Sequence, residues 1–130
     1  MALIAFGLGG YIYLAYRSTS LNMFGWFKTF GLFNIVSHIR KHSDDTSLCY
    51  FVLYCLPDAL WTTSYIIISD TIWQNNKRMQ YIWASILPII GLTSEIFQKT
   101  GIIHGTFDIL DMLCYIIPYI IYVTYKSLQS

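Results

Sequence analysis

Apolar residues run along this chain in blocks, not in stripes. Four blocks, about 2–16, 48–69, 79–97 and 107–125, carry few charges and are separated by more polar joints. Blocks of that length approach or match the roughly 20 apolar residues that a helix needs to cross the hydrocarbon core of a bilayer. The first is short, about 22 Å at 1.5 Å per residue. Its Gly7, Gly9 and Gly10 would let a second helix approach closely. No basic segment precedes it and no small-residue cleavage site follows, so it reads as a span and not as a cleavable leader.

Residues 21–42, LNMFGWFKTFGLFNIVSHIRKH, break the pattern. As a span they would carry Lys28 into lipid, at about 2.5–3.5 kcal/mol on insertion scales. A helix lying flat in the interface avoids that cost. Met23, Phe24, Phe27, Phe30 and Phe33 fall near helical spacing and can enter lipid while Lys28 faces the headgroups. The predicted architecture is therefore all-α and single-domain: a four-helix transmembrane bundle with one interfacial amphipathic helix after the first span. Arg17 can snorkel at the end of the first span, and Ser18 to Ser20 can cap the helix that follows. Lys41 to Ser47 reads as a water-exposed loop, and Asp70 to Arg78 as a polar connection.

Composition agrees with a membrane setting. Of 130 residues, 55% are hydrophobic and 12% charged, against a usual charged share of roughly 25%. So few charges cannot coat a water-facing surface. A net charge of +1, with no patch of interleaved rings and basic residues, argues against nucleic acid as a partner. Cys49, Cys55 and Cys114 lie in apolar runs without CxxC spacing and read as small packing residues. Nothing in the sequence implies a cofactor. Trp73, Tyr81, Trp83, Tyr122 and Tyr125 sit near predicted span ends, as an interfacial belt requires. Four spans put both termini on one side. The basic residues Arg17, Lys28, Arg40, Lys41 and Lys99 then stand against Lys77, Arg78 and Lys126, which favours cytoplasmic first and third loops.

The polar residues inside the apolar blocks are the candidates for function. Asp58 lies about 15 Å along the second span, where a carboxylate must be paired, protonated or facing a wet cavity. Glu95 and Gln98 close the third span, and Asp108 and Asp111 open the fourth, each pair three apart and so on one helix face. Tyr115 continues the face of Asp111 inward. Asp58, Trp61, Thr62 and Tyr65 form a comparable stripe on the second span. Asp58, Glu95, Gln98, Asp108 and Asp111 all lie toward one end of the predicted bundle, with His104-Gly105-Thr106 as the hinge between spans three and four. Gly101 and Gly105 permit a tight turn, and Thr106 can cap the fourth helix with Asp108 in its first turn. Pro57, Pro88 and Pro118 fall near the middle of three different spans. They would free the carbonyls of Leu53, Ala84 and Cys114, either as kinks for packing or to shape a polar cleft between spans two, three and four.

Glu95-Ile-Phe-Gln98, Gly105-Thr-Phe-Asp108-Ile-Leu-Asp111 and Tyr115 in an apolar helix together resemble the VanZ-like membrane protein family, as does Leu56-Pro-Asp58-Ala-Leu-Trp61 in the second span. The likeness is specific over residues 94–115. That family typically shows a Glu-x-x-Gln helix end, a short loop, and an Asp-x-x-Asp helix start followed by Asn. Here His104-Gly105-Thr106 replaces the loop's usual basic residue, and Tyr115 stands where Asn is common. Lys99, His104 or Arg17 would have to balance the acids. The resemblance implies a bacterial inner-membrane protein with an envelope or glycopeptide-resistance connection, and supplies no reaction.

Three functions fit these residues. The first is a non-catalytic module whose acidic cleft, built from Asp58, Trp61, Glu95, Gln98, His104, Asp108, Asp111 and Tyr115, binds a cationic headgroup, an ion or a basic residue of a partner. The second is a small structural or pore-forming subunit, associated with other membrane proteins or with its own copies. The third is an intramembrane enzyme using paired carboxylates or a metal. Against the third, the chain has no HExxH zinc motif, no GxSxG elbow and no GxGD stretch.

Overall fold

The computed structural model describes residues 1–16, 22–41 and 50–129. Among them are seven helices and no strand: α1 (Ala2–Tyr16), α2 (Asn22–Thr29), α3 (Phe33–Lys41), α4 (Tyr50–Tyr54), α5 (Leu56–Ile72), α6 (Lys77–Lys99) and α7 (Ile109–Leu128). The all-α expectation holds, and the first apolar block is α1 to the residue. Arg17 to Ser20, the loop from His42 to Ser47, and Cys49 lie outside the described residues.

Two of the expected continuous helices are divided. Where one helix was expected over 21–42, the described residues 22–41 form α2 and α3 because Gly31 takes φ +71°, where side chains with a Cβ are strained. The Gly31 N–H donates to Lys28 O at 3.2 Å and the Leu32 N–H to Phe27 O at 2.9 Å, the double bond of a Schellman stop. Nor does the ring-bearing face point outward as a unit. Phe24 is fully buried, with the Arg40 guanidinium 5.5 Å over its ring, while Trp26 and Phe30 are exposed. The second block, expected as one span over 48–69, is interrupted at Cys55 and runs on to Ile72. Pro57 has no N–H to continue a helix through that point, so it sits in the first turn of α5, where none is needed.

The other boundaries moved by two or three residues, for reasons visible at their caps. α6 begins at Lys77 because the Asn76 side chain accepts from Met79 N at 3.2 Å. It ends in a second Schellman stop, with Gly101 at φ +76° and Ile102 N donating to Phe97 O at 2.9 Å. The N-cap of α7 is Asp108, not Thr106: Asp108 has extended backbone, and its Oδ1 accepts from Leu110 N at 2.9 Å. Pro88 and Pro118 are each carried inside one unbroken helix.

α5 is the hub, packed against α1 on one side and α6 and α7 on the other, while α6 and α7 also pack on each other. α1 lies antiparallel to it, fixed by two side-chain donors onto backbone carbonyls. Ser64 Oγ reaches Ala2 O at 2.8 Å, and Trp61 Nε1 reaches Phe6 O at 3.3 Å. The closest approach is at Gly9, where a Cβ would lie 2.8 Å from Trp61 Nε1 and 3.1 Å from Pro57 O. Arg40 of α3 donates to Leu14 O at 3.0 Å, satisfying a carbonyl in the last turn of α1.

The distribution of polarity is inverted. Thr62, Ser64, Ser69, Gln80 and Glu95 are buried, and among the described residues four of the seven buried hydrophobic ones are the small Ala15, Cys55, Ala84 and Cys114. Leu3, Phe6, Ile89, Ile90, Ile117 and Ile121 are among many large apolar side chains left on the outside. Among the described residues one helix, α7, is by itself long and apolar enough to cross a membrane, and α1 is apolar but shorter.

Gly9→Val should lower stability by about 1–3 kcal/mol, because Pro57 O is backbone and cannot move aside. Gly10→Ala, with nothing within 4 Å of the added carbon, should be neutral or stabilising by up to about 1 kcal/mol. Reversible unfolding in mixed micelles measures both.

Candidate functional site

At the end of the bundle formed by the start of α5, the end of α6 and the start of α7, one cavity of about 430 Å³ opens. Asp58, Trp61, Glu95, Gln98, Asp111 and Tyr115 line it together with Tyr13, Ser94, Gly105 and Thr106. Six of the eight residues expected at the site therefore share one space. Its three carboxylates come from three different helices.

Each wall has a local cause. Tyr115 stands over Gly91 of α6, where a Cβ would lie 2.6 Å from the ring. Only glycine lets α7 bring that ring so close. On the opposite side Trp61 is seated on Gly9, and Tyr13 tilts against it with ring centroids 5.2 Å apart. Gly105 passes so near Gln98 that a Cβ would meet its Cδ at 2.7 Å, which holds the hinge down over the end of α6.

Glu95 is the most deeply buried of the three acids, only 4% exposed. Its Oε2 accepts the backbone N–H of Asp108 at 3.3 Å, so the same residue whose side chain caps α7 also anchors the acid of α6. Behind the cavity, Cys55 Sγ lies 3.8 Å from Asp111 Oδ1 as a weak donor. Cys55 and Cys114 are both buried and free.

His104 and Asp108 do not join the lining. His104 is exposed on the turn, and Asp108 serves as the cap. The stripe expected on α5 divides as well: Thr62 is buried with its Oγ1 unpartnered, and Tyr65 donates to Trp83 O at 2.9 Å. The carbonyls four residues before each proline, of Leu53, Ala84 and Cys114, are not part of the wall. Among the described basic residues none lines the cavity. The Lys99 ammonium lies 5.0 Å over the Phe107 ring instead. Among the described residues no three His, Cys, Asp or Glu side chains converge as a metal site.

No protein-family model matches the chain, and no characterised protein or solved structure matches it either. What the site can do must come from its own chemistry. Three carboxylates, two amphipathic phenols, an indole and a carboxamide around a space of this size can hold an organic cation by charge, hydrogen bonds and ring faces. Tyr13 and Ser94 were not singled out in the sequence. Tyr13 is one more tyrosine in a ring-rich apolar helix, and Ser94 could have been noticed only as the neighbour of Glu95.

Asp108→Ala should cost about 0.5–2 kcal/mol through loss of the cap, whereas Thr106→Ala, removing an exposed hydroxyl, should stay within about 0.5 kcal/mol. The two unfolding midpoints, measured side by side, separate the observed cap from the expected one.

Proposed function

We propose that this is a non-catalytic four-span membrane protein whose acidic cleft binds a cationic group: a lipid headgroup, an ion or a basic residue of a partner. One observation carries the binding proposal, the meeting of Asp58, Glu95 and Asp111 from three helices in one cavity of about 430 Å³. Ligand pockets for small organic molecules fall in the range of about 300–1,000 Å³. The rings of Trp61, Tyr13 and Tyr115 add faces that attract an ammonium group.

The membrane setting is supported by the inverted distribution of polarity. Serine, threonine, glutamine and glutamate inside, with isoleucine, leucine and phenylalanine outside, is an arrangement that water would not favour and hydrocarbon would. α6 and α7 rise about 34 and 30 Å, close to the thickness of a hydrocarbon core of roughly 30 Å. α1 spans by local thinning of the bilayer. α2 and α3 lie in the interface, their short lengths and cations suited to headgroup depth. The VanZ-like resemblance accords with this proposal, since Asp58, Trp61, Glu95, Gln98 and Asp111, which carry much of it, are all cleft residues. It extends the proposal to a bacterial inner membrane and an envelope role.

Two experiments test these statements separately. Cysteines introduced at Ile102 and at Asn75 should be labelled by an impermeant reagent from opposite sides of the membrane; labelling from the same side would overturn the four-span arrangement. Ethanolamine, tetramethylammonium and Mg²⁺ should then be added to detergent-solubilised protein. At a hundredfold excess over Kd a true ligand contributes about 2.7 kcal/mol, and the rise in Tm should vanish in Glu95→Gln with Asp111→Asn. Equal response of parent and variant to all three probes would remove the cleft from consideration.

A further inference from the structure

At the end of the bundle remote from the acidic cleft, a second and differently built site faces outward. A groove of about 220 Å³ runs between α5 and α7, walled by Thr63, Ile66 and Ile67 on one side and Pro118, Ile121 and Tyr122 on the other. Its wall is almost wholly apolar. Asp70 and Lys126 close its upper end, paired at 2.8 Å, with Tyr122 donating to the same Asp70 Oδ1 at 2.8 Å. From Thr63 to Asp70, and from Pro118 to Lys126, the groove extends roughly 10–12 Å along the helix axes.

Lys126 also lines a second, polar pocket of about 110 Å³, shared with Lys77, Gln80, Tyr81 and Gln129. Lys126 thus lines both spaces, the apolar groove and a small chamber of cations and neutral donors. Gln80 is held in place by donating from Nε2 to Asp70 O at 3.0 Å. Arg78 stands exposed beside Lys77. At this end of the described chain Lys77, Arg78 and Lys126 stand against the single carboxylate of Asp70.

We infer that this composite groove binds an anionic phospholipid of the surrounding bilayer, with an acyl chain along α5 and α7 and its phosphate between Lys77 and Lys126. The direction of the groove matches the path of a lipid chain beside a spanning helix, and the cations sit at its headgroup end. Its outer lip, Ile67, Ile121 and Tyr125, is exposed and therefore open to lipid. Asp70 opposes the phosphate by holding Lys126. The inference rests on the membrane placement proposed above but not on the acidic cleft.

The test is native mass spectrometry of the delipidated full chain in detergent, titrated with phosphatidylglycerol, with phosphatidylcholine of the same chains, and with soluble glycerol 1-phosphate. The parent should take phosphatidylglycerol about thirtyfold more tightly than phosphatidylcholine, a preference of the size that two interfacial cations supply. Asp70→Asn should sharpen that preference by releasing Lys126. Lys77→Gln with Lys126→Gln, made in the Asp70→Asn background so that no carboxylate is stranded, should abolish it. Ile121→Trp should weaken both lipids by filling the groove.

Equal binding of the two lipids by the parent, or selectivity untouched by the lysine changes, would overturn the inference while leaving the membrane placement intact. Glycerol 1-phosphate bound as tightly as phosphatidylglycerol would overturn the groove's part in it. Loss of phosphatidylglycerol in Glu95→Gln with Asp111→Asn would move the lipid to the cleft. Protein that stays in solution without detergent and takes up neither lipid would defeat the membrane placement and the inference together.

Discussion

Two aromatic rings resting on two glycines set the geometry of this bundle. Trp61 of α5 is seated on Gly9 of α1, and Tyr115 of α7 on Gly91 of α6. In each case the missing Cβ lets a helix and a large ring meet at a distance no other residue would allow. The same two rings are walls of the acidic cavity. Helix spacing and site shape are thus one property: a carbon added at either glycine must push a helix outward or a ring into the cleft.

Five of the polar side chains that join the helices use backbone carbonyls as their acceptors. Ser64 reaches Ala2 O, Trp61 reaches Phe6 O, Tyr65 reaches Trp83 O, Arg40 reaches Leu14 O and Gln80 reaches Asp70 O. Where the outside of a bundle is apolar, hydrophobic burial does little to hold one helix to another, and such donors with close small-residue packing take over that task. The remaining ionisable groups separate to the two ends of the bundle. Asp58, Glu95 and Asp111 gather at one end, and Asp70 with Lys77 and Lys126 at the other. Two ends of opposite character follow, joined by a middle in which buried polarity is carried by small hydroxyls such as Thr62 and Ser64.

Asp108 illustrates how a residue can be found for one reason and used for another. Spacing placed it three residues from Asp111 on one helix face, beside a threonine suited to capping. In the folded chain Asp108 is the cap, and its backbone N–H donates a hydrogen bond to Glu95. Its side chain is committed to the helix end, yet it still shapes the site by fixing the acid of α6. His104 is left exposed on the turn.

Local pattern determined the all-helical class, the apolar blocks, and the concentration of acids at one end of the bundle, because each follows from composition and from spacing of three or four along a helix. It also held the sign of the break at Gly31, in a glycine between two phenylalanine-bearing turns, but helical periodicity on both sides hid it. Only the tertiary structure decided that Tyr13 and Ser94 share a cavity with Asp58, that Phe24 turns inward under Arg40, and that Lys126 belongs with Asp70. Those relations join residues far apart in sequence, 56 positions in the case of Lys126 and Asp70. They depend on how closely helices approach and about which axis each is turned, and that is set by contacts such as Gly9 with Trp61.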